Sequence, residues 1–493
     1  MDSAASESIP ANSPSAVAVA GFTGARGFPL PLTEFEEYML CDDRPSHPMV
    51  IVMLADVSGE LRQAEFRASV LALMQRQPLL SCRVETRREG TVWVPLNELQ
   101  DPVIWTAVSA GLLNTCVPAA RPLDIRAGQG LRVCVWSSPV ASRISFELHH
   151  ACADGIAAVQ LLNELFEEYA SRTGGPPLSP AQSASDAVQA LARRSPLTTA
   201  QPGTTAAASR STPLPALLGK LSRLLGRRPV RIADSQQRQR AGLTSATQLP
   251  PGNFRTDESR PCPAILVRSL PEDSVRQLRA VASAHAVGLN DLLLLQMFTH
   301  VTAWNAQARR EAGGHWVRIA VPVSMRDPRS GPLPACNLVS YALVTHRMRD
   351  TREPQQLLQQ IHSKTLSMRS GRDGMIALKI FGLLRRIPCG VRAFLSLWPC
   401  AGTLVLANVG NVIRRCHIRL PLNQNRWVAG NITVERICGV PPVRPDTLVA
   451  VGLTEYAGQL HISLRTDGSR LTVEDSEAFL EQFVAGLERQ TLR

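Results

Sequence analysis

The sequence predicts a mixed α/β fold made of two units joined by a long crossover. Three observations carry that expectation. The chain has 493 residues, well past the ~250–300 at which a single hydrophobic core stops growing. Strand-like and helix-like stretches alternate along both halves. Between the halves lies a Pro/Ala/Ser/Thr-rich and then basic segment, 174–257, whose composition cannot bury enough apolar surface to offset its ordering entropy. Hydrophobic residues make up 44% of the chain and aromatics only 5%, so the cores must be built from Leu, Val, Ile and Ala.

The elements follow in order. Residues 1–28 read as a flexible tail ending near Pro29; they lack the basic start and continuous apolar stretch of a secretory signal. The first unit, 29–173, holds a helix over 66–80, where Phe66, Val70, Leu71, Leu73 and Met74 recur at helical spacing. Strands are expected at MVIVMLADV, LRVCVWSS and SRISFELHH. Segment 174–257 reads as a linker, and deletion of residues 205–245 is expected to leave the two-domain core folded. The second unit, 258–493, opens with the strand AILVRSL and a helix with Pro271 near its first turn. Another helix follows, capped by Asn290 or Asp291. Strands are expected at VRIAVPVS, LVSYALV, TLVLANV, TLVAVGLTEY and QLHISLRTD, and a helix, VEDSEAFLEQFVAGLERQ, closes the chain. No run of ~20 uncharged apolar residues suggests a transmembrane anchor.

Composition also narrows the chemistry. The eleven cysteines are scattered, odd in number and without a CxxC pair. That pattern argues against a zinc site and a disulfide framework, and favours reduced thiols in a cytoplasm. The net charge of +12 is concentrated: half of the excess lies between Gly219 and Arg240, and a second cluster comprises Arg385, Arg386 and Arg392. Such clusters attract anions, including phosphorylated cofactors, acidic carrier proteins and lipid headgroups, which would allow a peripheral membrane contact. No zinc finger, RNP-type aromatic pattern or basic heptad supports nucleic-acid binding.

The most informative stretch is Ile144-Ser-Phe-Glu-Leu-His149-His150-Ala-Cys-Ala-Asp154-Gly155. Strand alternation sends His149 and His150 to opposite sides, so at most one of them shares a given pocket. After Gly155 the apolar stripe Val159, Leu162, Leu165, Phe166 and Tyr169 has helical period. The histidines thus end a strand, and Asp154-Gly155 turns the chain into a helix, a place where α/β folds often carry reactive groups.

His149-His150-Ala-Cys-Ala-Asp154-Gly155 resembles the HHxxxDG motif of the chloramphenicol acetyltransferase-like superfamily. That superfamily includes wax ester synthase/diacylglycerol acyltransferases, plant BAHD acyltransferases and the condensation domains of nonribosomal peptide synthetases. Weaker matches follow in the right order. PLTEFEEYMLCDDRPSHPMVIV and GLNDLLLLQMF are similar to wax ester synthase segments, and RPLDIRAGQGLRVCVW resembles the stretch before the motif strand in condensation domains. VPVSMRDPRSGPLPACNLVS resembles the family stretch in which an Arg precedes an Asn element, and ANVG resembles part of SNVxGP. The BAHD motif DFGWG is absent, and Cys336 stands where a Gly usually precedes Asn337.

The resemblance implies two chloramphenicol acetyltransferase-like domains forming a pseudo-dimer with a central cleft. It also implies an acyltransferase with His150 as general base. His149, Asp154, Gly155 and Arg326 would support the motif, Asp154 pairing with Arg326, and Asn290, Asn337 and Asn408 would line the substrate channel. No bound cofactor or metal is implied; an acyl-CoA, or an acyl carrier protein thioester, would be the co-substrate. The leading expectation is O-acylation of a small or lipid-like alcohol. A free-standing condensation enzyme making an amide or ester from carrier-bound substrates is the second, and a non-catalytic scaffold or membrane-surface binding protein the third. No G-x-S-x-G elbow, Walker loop or G-x-G-x-x-G fingerprint supplies a competing chemistry.

Overall fold

The structure, a computed structural model, describes residues 16–18, 22, 24–178, 183–195, 228–243, 265–308, 316–327, 333–369, 371–397, 402–415, 419–445 and 447–491. Two large sheets dominate it. In chain order their strands are β1 (Val50–Ser58), β2 (Val103–Ala107), β3 (Leu131–Ser137), β4 (Ala141–His149), β5 (Leu266–Leu270), β6 (Trp316–Ser324) and β7 (Val339–Arg347). They continue with β8 (Leu404–Asn411), β9 (Leu422–Asn423), β10 (Arg426–Ala429), β11 (Ile432–Val440), β12 (Val449–Tyr456) and β13 (Gln459–Thr466). The described helices are α1 (Glu34–Asp42), α2 (Gln63–Arg76), α3 (Gly155–Arg172), α4 (Ala184–Ala192), α5 (Ser235–Arg240) and α6 (Glu272–Ala284). After these come α7 (Leu289–Ala308), α8 (Pro354–Arg369), α9 (Arg372–Leu384), α10 (Gly390–Leu397), the short α11 (Val412–Arg415) and α12 (Val473–Thr491).

The first sheet has the order β9-β10-β11-β1-β4-β3-β2 and the second β5-β13-β12-β8-β6-β7. β4 is antiparallel to β1, with Val50 opposite His149 and Phe146 opposite Met53. Its face of Ile144, Phe146 and Leu148 packs into one core with α2 and α3. The stripe expected on α3 is the buried one: Val159, Leu162, Leu165, Phe166 and Tyr169 are all fully covered. Each such side chain contributes ~2 kcal/mol of transfer free energy, which anchors the helix that follows the motif. The second core gathers α6, α7 and α12 on the other sheet.

The chain does not keep its halves apart. β9, β10 and β11, which lie in the second unit by sequence, complete the first sheet by pairing β11 against β1. Sequence pattern recognises a strand but cannot tell which sheet it joins, because either edge would satisfy the same backbone groups.

The described parts of 174–257 are also built in. Val188 and Leu191 of α4 are fully buried, and Arg194 just beyond pairs with the buried Glu36 at 2.7 Å. Val230, Ile232 and Ala233 belong to the second core. Arg238 stacks 3.6 Å over Trp304 and pairs with Asp475 at 2.9 Å. Removal of this stretch therefore strips part of the second core; a segment of weak average hydrophobicity still packs where its few apolar residues find a groove. Lys220, Arg223 and Arg227 lie outside the described residues. Within the expected tail, Ala16–Ala18 pairs with Glu98–Gln100 and Phe22 is buried.

Neither Asn290 nor Asp291 occupies the N-cap of α7. The helix starts one residue earlier, and Asp291 accepts the Gly288 amide at 2.9 Å from the third helical position, half of a capping box. Among the described residues no single helix is long and apolar enough to cross a membrane.

Candidate active site

Everything at the site follows from the turn between β4 and α3. Asp154 caps α3: its Oδ1 accepts the Ile156 and Ala157 amides at 3.1 and 2.9 Å. Its Oδ2 faces the other unit, accepting Arg326 Nη1 at 2.7 Å and the Leu338 amide at 2.8 Å. Burial by itself would raise the Asp154 pKa. The Arg326 guanidinium and the Ala157 and Leu338 amides outweigh it and hold the carboxyl below its usual range. One carboxylate thereby ties the motif turn to both ends of 326–338. Arg326 also donates to the Cys336 carbonyl at 3.1 Å.

His150 is 7% exposed. Its amide donates to the Met49 carbonyl at 2.7 Å, and Asn337 Nδ2 donates to its carbonyl at 2.7 Å. Its ring Nδ1 lies 3.1 Å from the Ala153 carbonyl. Asn337 Nδ2 lies 3.3 Å from the same nitrogen; with the Nδ1 hydrogen directed at the carbonyl, which only accepts, the lone pair sits on Nε2. Burial lowers the ring's pKa to about 4, against smaller opposing contributions that include Asp154. The ring is therefore neutral at pH 7. His149 differs in every respect: it is fully buried, its Nδ1 accepts the Ala151 amide, and its Nε2 lies 3.5 Å from Asp43.

His150, Asp154 and Gly155 line an open cleft of about 150 Å³ between the two sheets. Ile51 and Met53 of β1 form one wall, and Pro322, Val339, Tyr341 and Val405 of the second sheet face them. Along the cleft the two sheets come into contact. A Cβ on Gly452 of β12 would sit 2.2 Å from the Gly439 carbonyl of β11, so only glycine permits this approach.

The three asparagines expected along the channel take different places. Asn408 lines the cleft. Asn290 stands behind it, accepting Asn408 Nδ2 at 3.0 Å, and Asn337 braces the His150 backbone. Tyr341, Ser324 and Arg415 also line the cleft and were not singled out from the sequence. The alternation of LVSYALV puts Tyr341 beside Val339 on one strand face, but only the pairing of sheets shows what that face meets.

Two further groups bear on the chemistry. The Gly155 amide, at the first position of α3, has no hydrogen-bond acceptor among the described residues, and Gly155 is on the cleft wall. Cys152 is turned away: its thiol is buried, lies 3.6 Å from the Leu79 carbonyl, and is pushed well up by burial.

No protein-family model matches the chain, and no curated protein matches it either. Solved structures do. The first condensation domain of the calcium-dependent antibiotic synthetase, in complex with a substrate analogue, is 14% identical, with a TM-score of 0.63 over 94% of this chain and 96% of that one. The starter condensation domain of rhizomide synthetase, a mutant in complex with C8-CoA and Leu-SNAC, is 14% identical, with a TM-score of 0.60 over 94% and 95%. A cyclization-docking bidomain from Sorangium cellulosum is 15% identical, with a TM-score of 0.59 over 98% and 87%. The chain thus shares the two-lobed fold of these condensation domains.

Proposed function

We propose that this protein is a condensation-type acyltransferase, joining an acyl thioester to an amine or alcohol within the cleft. The observation that carries the reading is a neutral His150 on the cleft wall, its Nδ1 beside the Ala153 carbonyl and its Nε2 without a hydrogen-bond partner among the described residues. Likeness to condensation domains favours amide or ester formation from carrier-delivered or coenzyme A thioesters over simple O-acylation of an alcohol. The latter remains a product class that the same assay scores.

In this mechanism Nε2 takes the proton from the acceptor N–H or O–H as the nucleophile attacks the thioester carbonyl. The tetrahedral oxyanion forms beside the Gly155 amide, the donor offered by that wall. Collapse breaks the C–S bond, and the imidazolium returns its proton to the departing thiolate. Asp154 is a positioning residue; held by Arg326 and Leu338, it fixes the turn that carries His150. General-base assistance contributes ~10²–10⁴-fold, and juxtaposition of the two substrates supplies the remainder. Transfer is direct, because Cys152 faces the core.

The test is incubation of the purified chain with a panel of acyl thioesters and of amines and alcohols, read by mass spectrometry. His150→Ala is expected to lose ~10²–10⁴-fold in rate with its unfolding curve nearly unchanged. Survival of activity within a few-fold, ping-pong kinetics or an acylated Cys152 would overturn the mechanism.

A further inference from the structure

The charges on the cleft walls do not cancel. Asp154 is neutralised by Arg326 at 2.7 Å, and the His150 ring is uncharged. That leaves Arg415, at the end of α11, as the cleft's uncompensated charge among the described residues. Its Nε donates to the Val409 carbonyl at 3.2 Å, which fixes the root of the guanidinium. No carboxylate pairs with it among the described residues. The acids on neighbouring elements are engaged: Glu455 by Asn411 and Arg279, and Glu167 by Asn163 and the Arg419 amide. Beyond Arg415 the cleft walls are largely apolar, with Ile51, Met53, Val339 and Val405 among them.

We infer that the cleft takes a substrate with an apolar body and an anionic end, the anion held by Arg415. The inference rests on the proposed acyl-transfer site and names the class of molecule it admits. A guanidinium presents a planar fork of donors that matches the oxygens of a carboxylate or a phosphate. The anion therefore belongs either to a carboxylate on the acceptor half or to a phosphate on the arm that carries the thioester.

Calorimetric binding to the full chain and to Arg415→Gln separates these sources without requiring turnover. Octanoyl-coenzyme A is compared with octanoyl-N-acetylcysteamine, which lacks phosphate, and N-octanoyl-leucine with its methyl ester, which lacks the carboxylate. Arg415→Gln is expected to weaken one anionic probe ~5–30-fold while leaving its neutral counterpart within two-fold, and Arg415→Lys to retain part of the affinity. Because Arg415 is solvent-exposed, a thermal melt of the variant should match that of the parent. Equal weakening of anionic and neutral probes, weakening of neither, or no binding of either anionic probe by the parent chain would overturn the inference. Charge-selective binding without turnover would leave it standing and count against the acyl-transfer reading instead.

Discussion

Replacing Asp154 by Ala removes four hydrogen-bond acceptances at once, and the structure allows the cost to be worked out. Loss of the Ile156 and Ala157 contacts is the loss of an N-cap, ~1 kcal/mol. Loss of the Oδ2 contacts leaves Arg326 without its counter-ion, which costs ~3–5 kcal/mol for a buried pair. The Arg326 side chain remains a quarter exposed and keeps the Cys336 carbonyl, so the lower figure applies. The sum is about 4 kcal/mol, a large share of the ~5–15 kcal/mol typical of a folded domain. Denaturant unfolding followed by circular dichroism at pH 7 should show this as a lower midpoint. Asp154→Asn keeps a capping oxygen and loses only the charge, so it should fall between parent and Ala. In a double-mutant cycle with Arg326→Met the pair should be coupled by at least ~2 kcal/mol, since removing both partners leaves no buried charge. Additive single effects, or an Asp154→Ala protein as stable as the parent but inactive, would refute the positioning role and point to direct chemistry.

Acid should destabilise the fold through buried histidines. His150, His300 and His461 are each lowered to about 4 by burial, so the unfolded chain binds protons first as pH falls below ~6.5. Stability is then full above pH 6.5 and lost on descent, ~3 kcal/mol per histidine by pH 4; a flat unfolding midpoint between pH 7 and 5 would contradict this. Tyr341 lines the cleft, its ring set against Phe35 and Tyr38, and its hydroxyl has no protein partner among the described residues. Tyr341→Phe should leave the melting temperature within about a degree while changing KM, whereas a clear loss of stability would show that the hydroxyl is bonded within the protein. Arg238→Ala should destabilise by ~3 kcal/mol or more, because it leaves the fully buried Asp475 without its counter-ion, with only the Ser235 hydroxyl among the described residues still donating to it; an unchanged unfolding midpoint would return that stretch to the status of a spacer.

Much of the site's local structure was legible without coordinates. Strand period 2 and helix period 3.6 are properties of a few consecutive residues, so β4, its end at the histidines and the buried stripe of α3 could be read directly. Opposite placement of His149 and His150 followed from the same alternation. Arg326 was named as Asp154's partner by resemblance, and the structure places the two 2.7 Å apart. Charge counting misled at one position of the basic stretch: Arg228, Arg231 and Arg240 are exposed, whereas the Arg238 guanidinium lies on Trp304.

Sequence by itself determined β1, β3 to β8, β12, β13 and the helices α2, α3, α6, α7 and α12, together with the two-unit class and the turn that presents His150. Tertiary structure alone decided which sheet β11 completes, which asparagine reaches the cleft, and which groups meet the His150 ring. The reason is physical. Helix and strand preferences are settled within a few residues, but a cleft is made by partners 172 to 187 positions apart, such as Asp154 with Arg326 and His150 with Asn337. Their meeting depends on how two twisted sheets close against each other at Gly439 and Gly452, a global outcome of packing that no short window of residues encodes.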